Sequence, residues 1–210
     1  MSSRRQMLEF LSLSRLPSVF QEVEYIESSG TQYIDTLYVL NTPCKAQYSF
    51  MITGNVANGH SIAGVYNDDT GNDLYFGLVR SADSKLNYRY ANVFYPSSTT
   101  IQQNVKYSAE VQLNVGNQYL LLNGVTEAFS SLSSVLNNSR NLYIMAINNA
   151  VVGKLVGRIY YFKIYYNNTL VRDFVPCYRK ADNVAGLYDL VNGVFYTNAG
   201  TGTFIVGGNV

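Results

Sequence analysis

Polar and apolar residues alternate with a period of two over most of the chain, the pattern of strands that bury one face and show the other to water. Glu22, Glu24 and Ile26 alternate with Val23 and Tyr25, and Ser28-Ser29-Gly30 turns the chain into a strand over 32–36. Further strands are predicted over 44–53, 61–66, 74–80, 85–94, 106–114, 118–122, 125–128, 141–147, 156–166, 169–174, 186–190, 194–197 and 203–206. Loops rich in Asn, Asp and Gly divide them, at the spacing of roughly 10 to 14 residues expected of a sandwich. Asn123-Gly124 reads as a two-residue hairpin, while Asn167-Asn168 and Asn192-Gly193 read as turns, because these residues tolerate the positive φ such turns need. In the longest run, Ile159, Tyr161, Lys163 and Tyr165 alternate with Tyr160, Phe162, Ile164 and Tyr166.

Only the first residues depart from this period. Met7, Phe10, Leu11 and Ser14 fall on one helical stripe with Leu8 beside it, Ser2 or Ser3 is placed to cap it, and Leu16-Pro17 ends it. A helix this short is marginal in water, so it needs a surface to dock on, either its own domain or a neighbouring protein. The expected organisation is an arm over 1–20, attaching through Met7, Leu8, Phe10 and Leu11, followed by one domain over 21–210. No repeat and no linker divides that domain. Its expected fold class is all-β, two antiparallel sheets packed face to face.

Composition narrows the function. The chain has 210 residues, 47% hydrophobic and 14% charged, enough for one sizeable core. Its 15 basic and 14 acidic residues are scattered and leave a net charge of +1, without the basic footprint that nucleic acid requires. Arg4 and Arg5 precede apolar residues, but Glu9, Ser12, Ser14 and Arg15 interrupt them and no small-residue cleavage site follows, so a soluble chain without an export signal is expected. No run is long enough for a membrane span.

Two words near opposite ends carry a resemblance: VEYIESSGTQYIDT at 23–36, and VRDFVPCYRKADNVAGLYDLVNGVFYTNAGTGTF at 171–204. Together they resemble a group of small tailed-bacteriophage and prophage proteins built on a concanavalin A-like, or laminin G-like, jelly roll. The resemblance implies a non-enzymatic virion component, assembled in the bacterial cytoplasm and present in several copies or as a homo-oligomer. It implies other virion proteins as partners through the arm, and either adhesion to host-surface glycans or a purely architectural, cementing role. Head fibre, tail fibre and capsid decoration protein are all compatible with it. In a jelly roll the two chain ends often run side by side, which brings a Cys44–Cys177 bond into view. A reducing site of assembly favours two buried thiols instead.

Several side chains are candidates for chemistry. Glu22, Glu24 and Glu27 resemble the carboxylate cluster of laminarinase-type jelly-roll hydrolases, but in an unbroken strand Glu27 faces away from the other two, and charges on an edge strand also discourage unwanted pairing. Asp68, Asp69 and Asp73, in a loop of hard oxygen donors, are the expected ligands if calcium binds, a habit of laminin G-like domains; such residues are equally what turns are made of. Tyr75, Tyr88, Tyr90 and Tyr95 are candidate ligand-binding rings, with Tyr160, Tyr161, Tyr165 and Tyr166 in the same tyrosine set, although alternation sends half of any such set into the core. His60 has no second metal ligand or nucleophile near it in sequence and reads as a loop residue. Asn137-Asn138-Ser139 and Asn167-Asn168-Thr169 match the glycosylation pattern and are assigned no role.

Overall fold

The computed structural model describes residues 15–67, 71–149 and 153–210. The strands are β1 (Phe20–Glu22), β2 (Ile26–Ser29), β3 (Ile34–Val39), β4 (Cys44–Ile52), β5 (His60–Val65) and β6 (Leu74–Val79). Then come β7 (Lys85–Tyr90), β8 (Val93–Thr100), β9 (Lys106–Asn114), β10 (Asn117–Leu122), β11 (Val125–Ser130) and β12 (Asn141–Ile144). The last are β13 (Ile147–Asn148), β14 (Val156–Tyr166), β15 (Thr169–Arg179), β16 (Val184–Asp189), β17 (Val194–Thr197) and β18 (Ile205–Val206). A 3-10 turn at Val56–Asn58 precedes β5.

They form two sheets. The larger runs β11-β10-β9-β4-β14-β15-β16-β17, with β1 beside β15 and β2 between β14 and β18; the smaller runs β3-β12-β5-β6-β7-β8, with β13 beside β5. Alternation places Cys44, Ala46, Tyr48, Phe50 and Ile52 of β4 inward, facing Leu74, Phe76 and Val79 of β6 across the core. The Tyr48 hydroxyl donates to the Phe76 carbonyl at 2.6 Å, joining the two layers at their centre. At one side the edges also meet, since the Glu127 carboxylate on β11 accepts from the Thr99 N–H at 2.9 Å and its hydroxyl at 2.7 Å on β8. The all-β sandwich expected from the pattern is the fold.

Local departures have identifiable causes. The run over 85–94 is not one strand, because Ala91 takes φ 54° and a turn at Ala91-Asn92 folds β8 back on β7. β15 runs on past the expected 174 to Arg179, through Pro176. That proline is tolerated because it sits where β15 exchanges one neighbour, β14, for another, β1, and its carbonyl accepts from the Val23 N–H at 3.0 Å. Asn123-Gly124 closes the expected two-residue hairpin with φ 50° and 80°. The chain around Asn192-Gly193 instead forms a four-residue loop between Asp189 and Val194. His60 is no loop residue: it is buried at the start of β5, where Nε2 lies 2.8 Å from the Asn55 carbonyl and Nδ1 accepts from the Val156 N–H at 3.3 Å. The proposed arm residues Met7, Leu8, Phe10 and Leu11 lie outside the described residues. Leu16 and Phe20 already pack with Val175, Cys177 and Tyr188 on the outer side of the large sheet, so the packed body begins upstream of residue 21.

The two cysteines are free and buried. Cys44 points into the central core and Cys177 into the outer Leu16 cluster, on the opposite face of the same sheet. Burial pushes the Cys177 thiol up to about 12, and that of Cys44 higher still, so both are inert apolar residues.

Candidate functional site

The outer face of the large sheet gathers the polar half of four adjacent strands. β4 contributes Lys45, Gln47, Ser49 and Met51; β9 contributes Lys106, Ser108 and Glu110; β10 contributes Tyr119 and Leu121; β14 contributes Arg158, Tyr160, Tyr161, Lys163 and Tyr165. A bulge makes β14 unusual. Ile159 pairs with Phe50 and Tyr161 with the next residue, Ser49, leaving Tyr160 as the extra residue. Ile159 therefore shares the core face with Phe162 and Ile164, and two consecutive tyrosines emerge on the outer face, which strict alternation does not give.

Most of these side chains hold one another. Glu110 accepts from the Tyr119 hydroxyl at 2.6 Å and the Gln47 amide at 2.6 Å, and Lys45 lies 3.6 Å away. The Tyr165 hydroxyl donates to the Gln47 carbonyl oxygen at 2.9 Å, and the Lys45 ammonium stands 4.8 Å over the Tyr165 ring. Burial alone would push the Glu110 carboxyl up, but Tyr119, Gln47 and Lys45 together outweigh it and hold the group below the usual carboxylate range. A depressed carboxyl contributes stability that is present above its unfolded pKa and lost as pH falls through the folded one. Glu110→Gln is thus expected to narrow the gap in urea midpoint between pH 7 and acid; an unchanged gap would show that Glu110 carries no part of it.

Tyr161 differs from its neighbours. Tyr25 is covered by Arg158 at 4.2 Å, Tyr160 by Lys106 at 3.9 Å and Tyr165 by Lys45, while Tyr119 is tied to Glu110. Among the described residues, no ring or cation packs on Tyr161 and no group bonds its hydroxyl. Burial pushes its phenol up, so it keeps its proton and remains a donor. It stands between two depressions and lines both. One, of about 260 Å³, is lined by Gln47, Ser108, Ala109, Glu110, Leu121, Gly124 and Tyr161. The other, of about 330 Å³, is lined by Arg15, Glu22, Val23, Glu24, Lys106, Tyr160, Tyr161 and Val210.

The carboxylates expected in sequence are distributed differently from a hydrolytic pair. Glu22 and Glu24 do line one depression, but Arg15 grips Glu22 through Nε at 3.0 Å and through its terminal nitrogen. Glu27 reaches the outer face because the chain kinks between β1 and β2; there it accepts from Arg158 at 2.8 Å and Thr53 at 2.9 Å.

The other candidates lie elsewhere. Tyr88 and Tyr90 are core residues, their hydroxyls donating to Ser130 and to the Ser134 carbonyl, and Tyr95 stacks on Tyr88 at 4.7 Å. Tyr75 is buried on the outer side of the small sheet, beneath Phe94 and Arg89. Asp68 and Asp69 lie outside the described residues. Asp73 is fully buried, accepts from the Asn67 N–H at 2.7 Å and faces Arg89 at 2.9 Å. Tyr119, Gln47 and Glu110 were missed in sequence. They converge only through strand register, and a polar residue every second position is what any exposed strand shows.

Two antiparallel sheets in this order, with a polar and aromatic outer face, define a concanavalin A/laminin G-like jelly roll. Comparison with solved structures bears this out at the level of fold. The chain is similar to a protein from Bacteroides ovatus described as a candidate carbohydrate-binding protein, with TM-score 0.67, 12% identity, and coverage of 90% of this chain and 62% of that one. It is similar to domains LG4-5 of the mouse laminin α1 chain, with TM-score 0.53, 8% identity, and coverage of 74% and 43%. It is also similar to the CBM40 of the Ruminococcus gnavus IT-sialidase bound to α2,3-sialyllactose, with TM-score 0.53, 14% identity, and coverage of 68% and 89%. The chain thus spans under two thirds of the first two. No family model matches the sequence, and no curated protein matches it.

Proposed function

We propose that this domain binds glycans on the outer face of its large sheet, with Tyr161 as the stacking platform between two shallow subsites. The observation that carries this reading is Tyr161 itself: a half-buried ring with no stacking, cation or hydrogen-bonding partner among the described residues, standing between two depressions. A flat apolar ring with a donor at its tip suits the alternating apolar and hydroxylated surface of a sugar. The carbohydrate-binding descriptions of two structural neighbours support the same reading. Tyr161→Ala is expected to weaken glycan binding about tenfold or more, read on a glycan array with an oligomerised domain. Equal binding by the folded variant would sink the assignment of the face.

The module acts without catalysis in this reading. Glycoside hydrolysis needs two free carboxyls flanking the bond, whereas Arg15 engages Glu22, Arg158 engages Glu27, and Tyr119 and Gln47 engage Glu110. Polysaccharide cleavage that disappears in Glu24→Gln would overturn this.

Display in many copies on a tailed-phage particle completes the proposal, with Met7, Leu8, Phe10 and Leu11, upstream of the packed Leu16, as the attachment segment. It is supported by the resemblance of the two terminal words. Shallow sites of this kind reach useful strength through avidity.

A further inference from the structure

The small sheet carries an unneutralised arginine at a cavity on its own outer face. β6 ends at Val79, and the next side chain, Arg80, lies half-buried against Phe94, its guanidinium 5.2 Å from the ring centroid. Arg89 approaches the same ring at 4.6 Å, but Asp73 neutralises it. Arg80 has no carboxylate within ion-pair distance and no side-chain acceptor among the described residues. The acid in its own hairpin, Asp83, accepts from the Lys85 N–H at 3.0 Å.

The guanidinium borders a cavity of about 320 Å³ whose lining includes Asn58, Gly59, Leu78, Ser81 and Phe94, and no acidic residue. Gly59, at φ 74°, leaves one wall bare where a side chain would meet Ser81 and the Val79 carbonyl. The side chains of Asn58 and Ser81 have no hydrogen-bond partner among the described residues. One planar cation, two free polar groups and an apolar wall thus converge on a space sized for a ring. An arginine fork matches a carboxylate in shape, and weak hydration makes it the cheaper cation to bury with one.

We propose that this cavity is a second binding site, taking the carboxylate of an acidic sugar residue on Arg80, with its hydroxyls toward Asn58 and Ser81 and its apolar side against Leu78 and Phe94. The site does not rest on the Tyr161 reading, since it lies on the other sheet. The test is an NMR titration of the full chain with glucuronate, glucose, acetate and sulfate. Glucuronate is expected to shift the amides of Asn58, Gly59, Arg80 and Gly153 and to bind about tenfold or more tightly than the other three. Arg80→Gln is expected to remove that advantage, Arg80→Lys to restore part of it, and Tyr161→Ala to leave it intact. Glucuronate binding unchanged by Arg80→Gln, or lost in Tyr161→Ala, would overturn the assignment. So would glucose, acetate or sulfate binding as tightly as glucuronate.

Discussion

Asp189→Ala is expected to cost about 3–5 kcal/mol of stability, because it strips one partner from a buried ion pair and orphans the donors around it. The carboxylate is fully buried at the end of β16. Oδ1 accepts from the N–H groups of Asp173 at 2.9 Å and Val191 at 3.0 Å. Oδ2 accepts from the Asn192 amide at 2.6 Å and faces Arg172 at 3.4 Å. The Arg172 guanidinium in turn stands 4.7 Å over the Tyr38 ring, so this one carboxylate ties the β16–β17 loop to β15 and, through Arg172, to β3. For a domain of this size the melting temperature should fall by roughly 10 °C or more. Asp189→Asn keeps an acceptor oxygen but loses the charge opposite Arg172, so its loss should be smaller. Urea midpoints decide the matter: an alanine variant within about 1 kcal/mol of wild type would mean that the buried charge is replaced by water at no cost.

The sandwich was legible in the sequence because its signals are local. Period-two alternation sorts β4 and β9 correctly residue by residue, and Asn123-Gly124 states its own turn. What stayed hidden depends on features that leave no local mark. Ala91 holds a left-handed conformation that nothing in its residue type announces. In β14 the run Ile159, Tyr160, Tyr161, Phe162 is apolar or aromatic throughout, so a bulge and an unbroken strand look alike there. The site followed the same rule. Tyr161 belonged to a tyrosine set recognised by composition, but composition could not separate it from Tyr88 and Tyr90, which are core. The Glu110 network required knowing that β4, β9 and β10 stand side by side, a pairing made by residues far apart in the chain.

The two terminal words show why a sequence resemblance can mark architecture. They bind each other. Ala199 donates to the Tyr33 carbonyl at 2.9 Å, the Tyr33 N–H to the Asn198 side chain at 3.1 Å, and the Thr31 hydroxyl to the Thr201 carbonyl at 3.0 Å. Buried Gln32 is the hinge pin of this clasp. Its oxygen accepts from the Ser29 N–H at 2.9 Å and the Ser28 hydroxyl at 3.0 Å, and its amide donates across to the Thr203 carbonyl at 3.0 Å. Gln32→Ala leaves those groups without partners and is expected to cost about 2–4 kcal/mol. Asn198→Ala, which also frees the Gly200 N–H, should cost about 1–3 kcal/mol. The two losses should not add: once either side of the clasp opens, the other has less left to hold, so the double variant should fall short of the sum by about 0.5 kcal/mol or more. Strict additivity in denaturant unfolding would show that the words are two independent turns that merely lie side by side. A shortfall would place the closure of the two terminal words in a single cooperative unit.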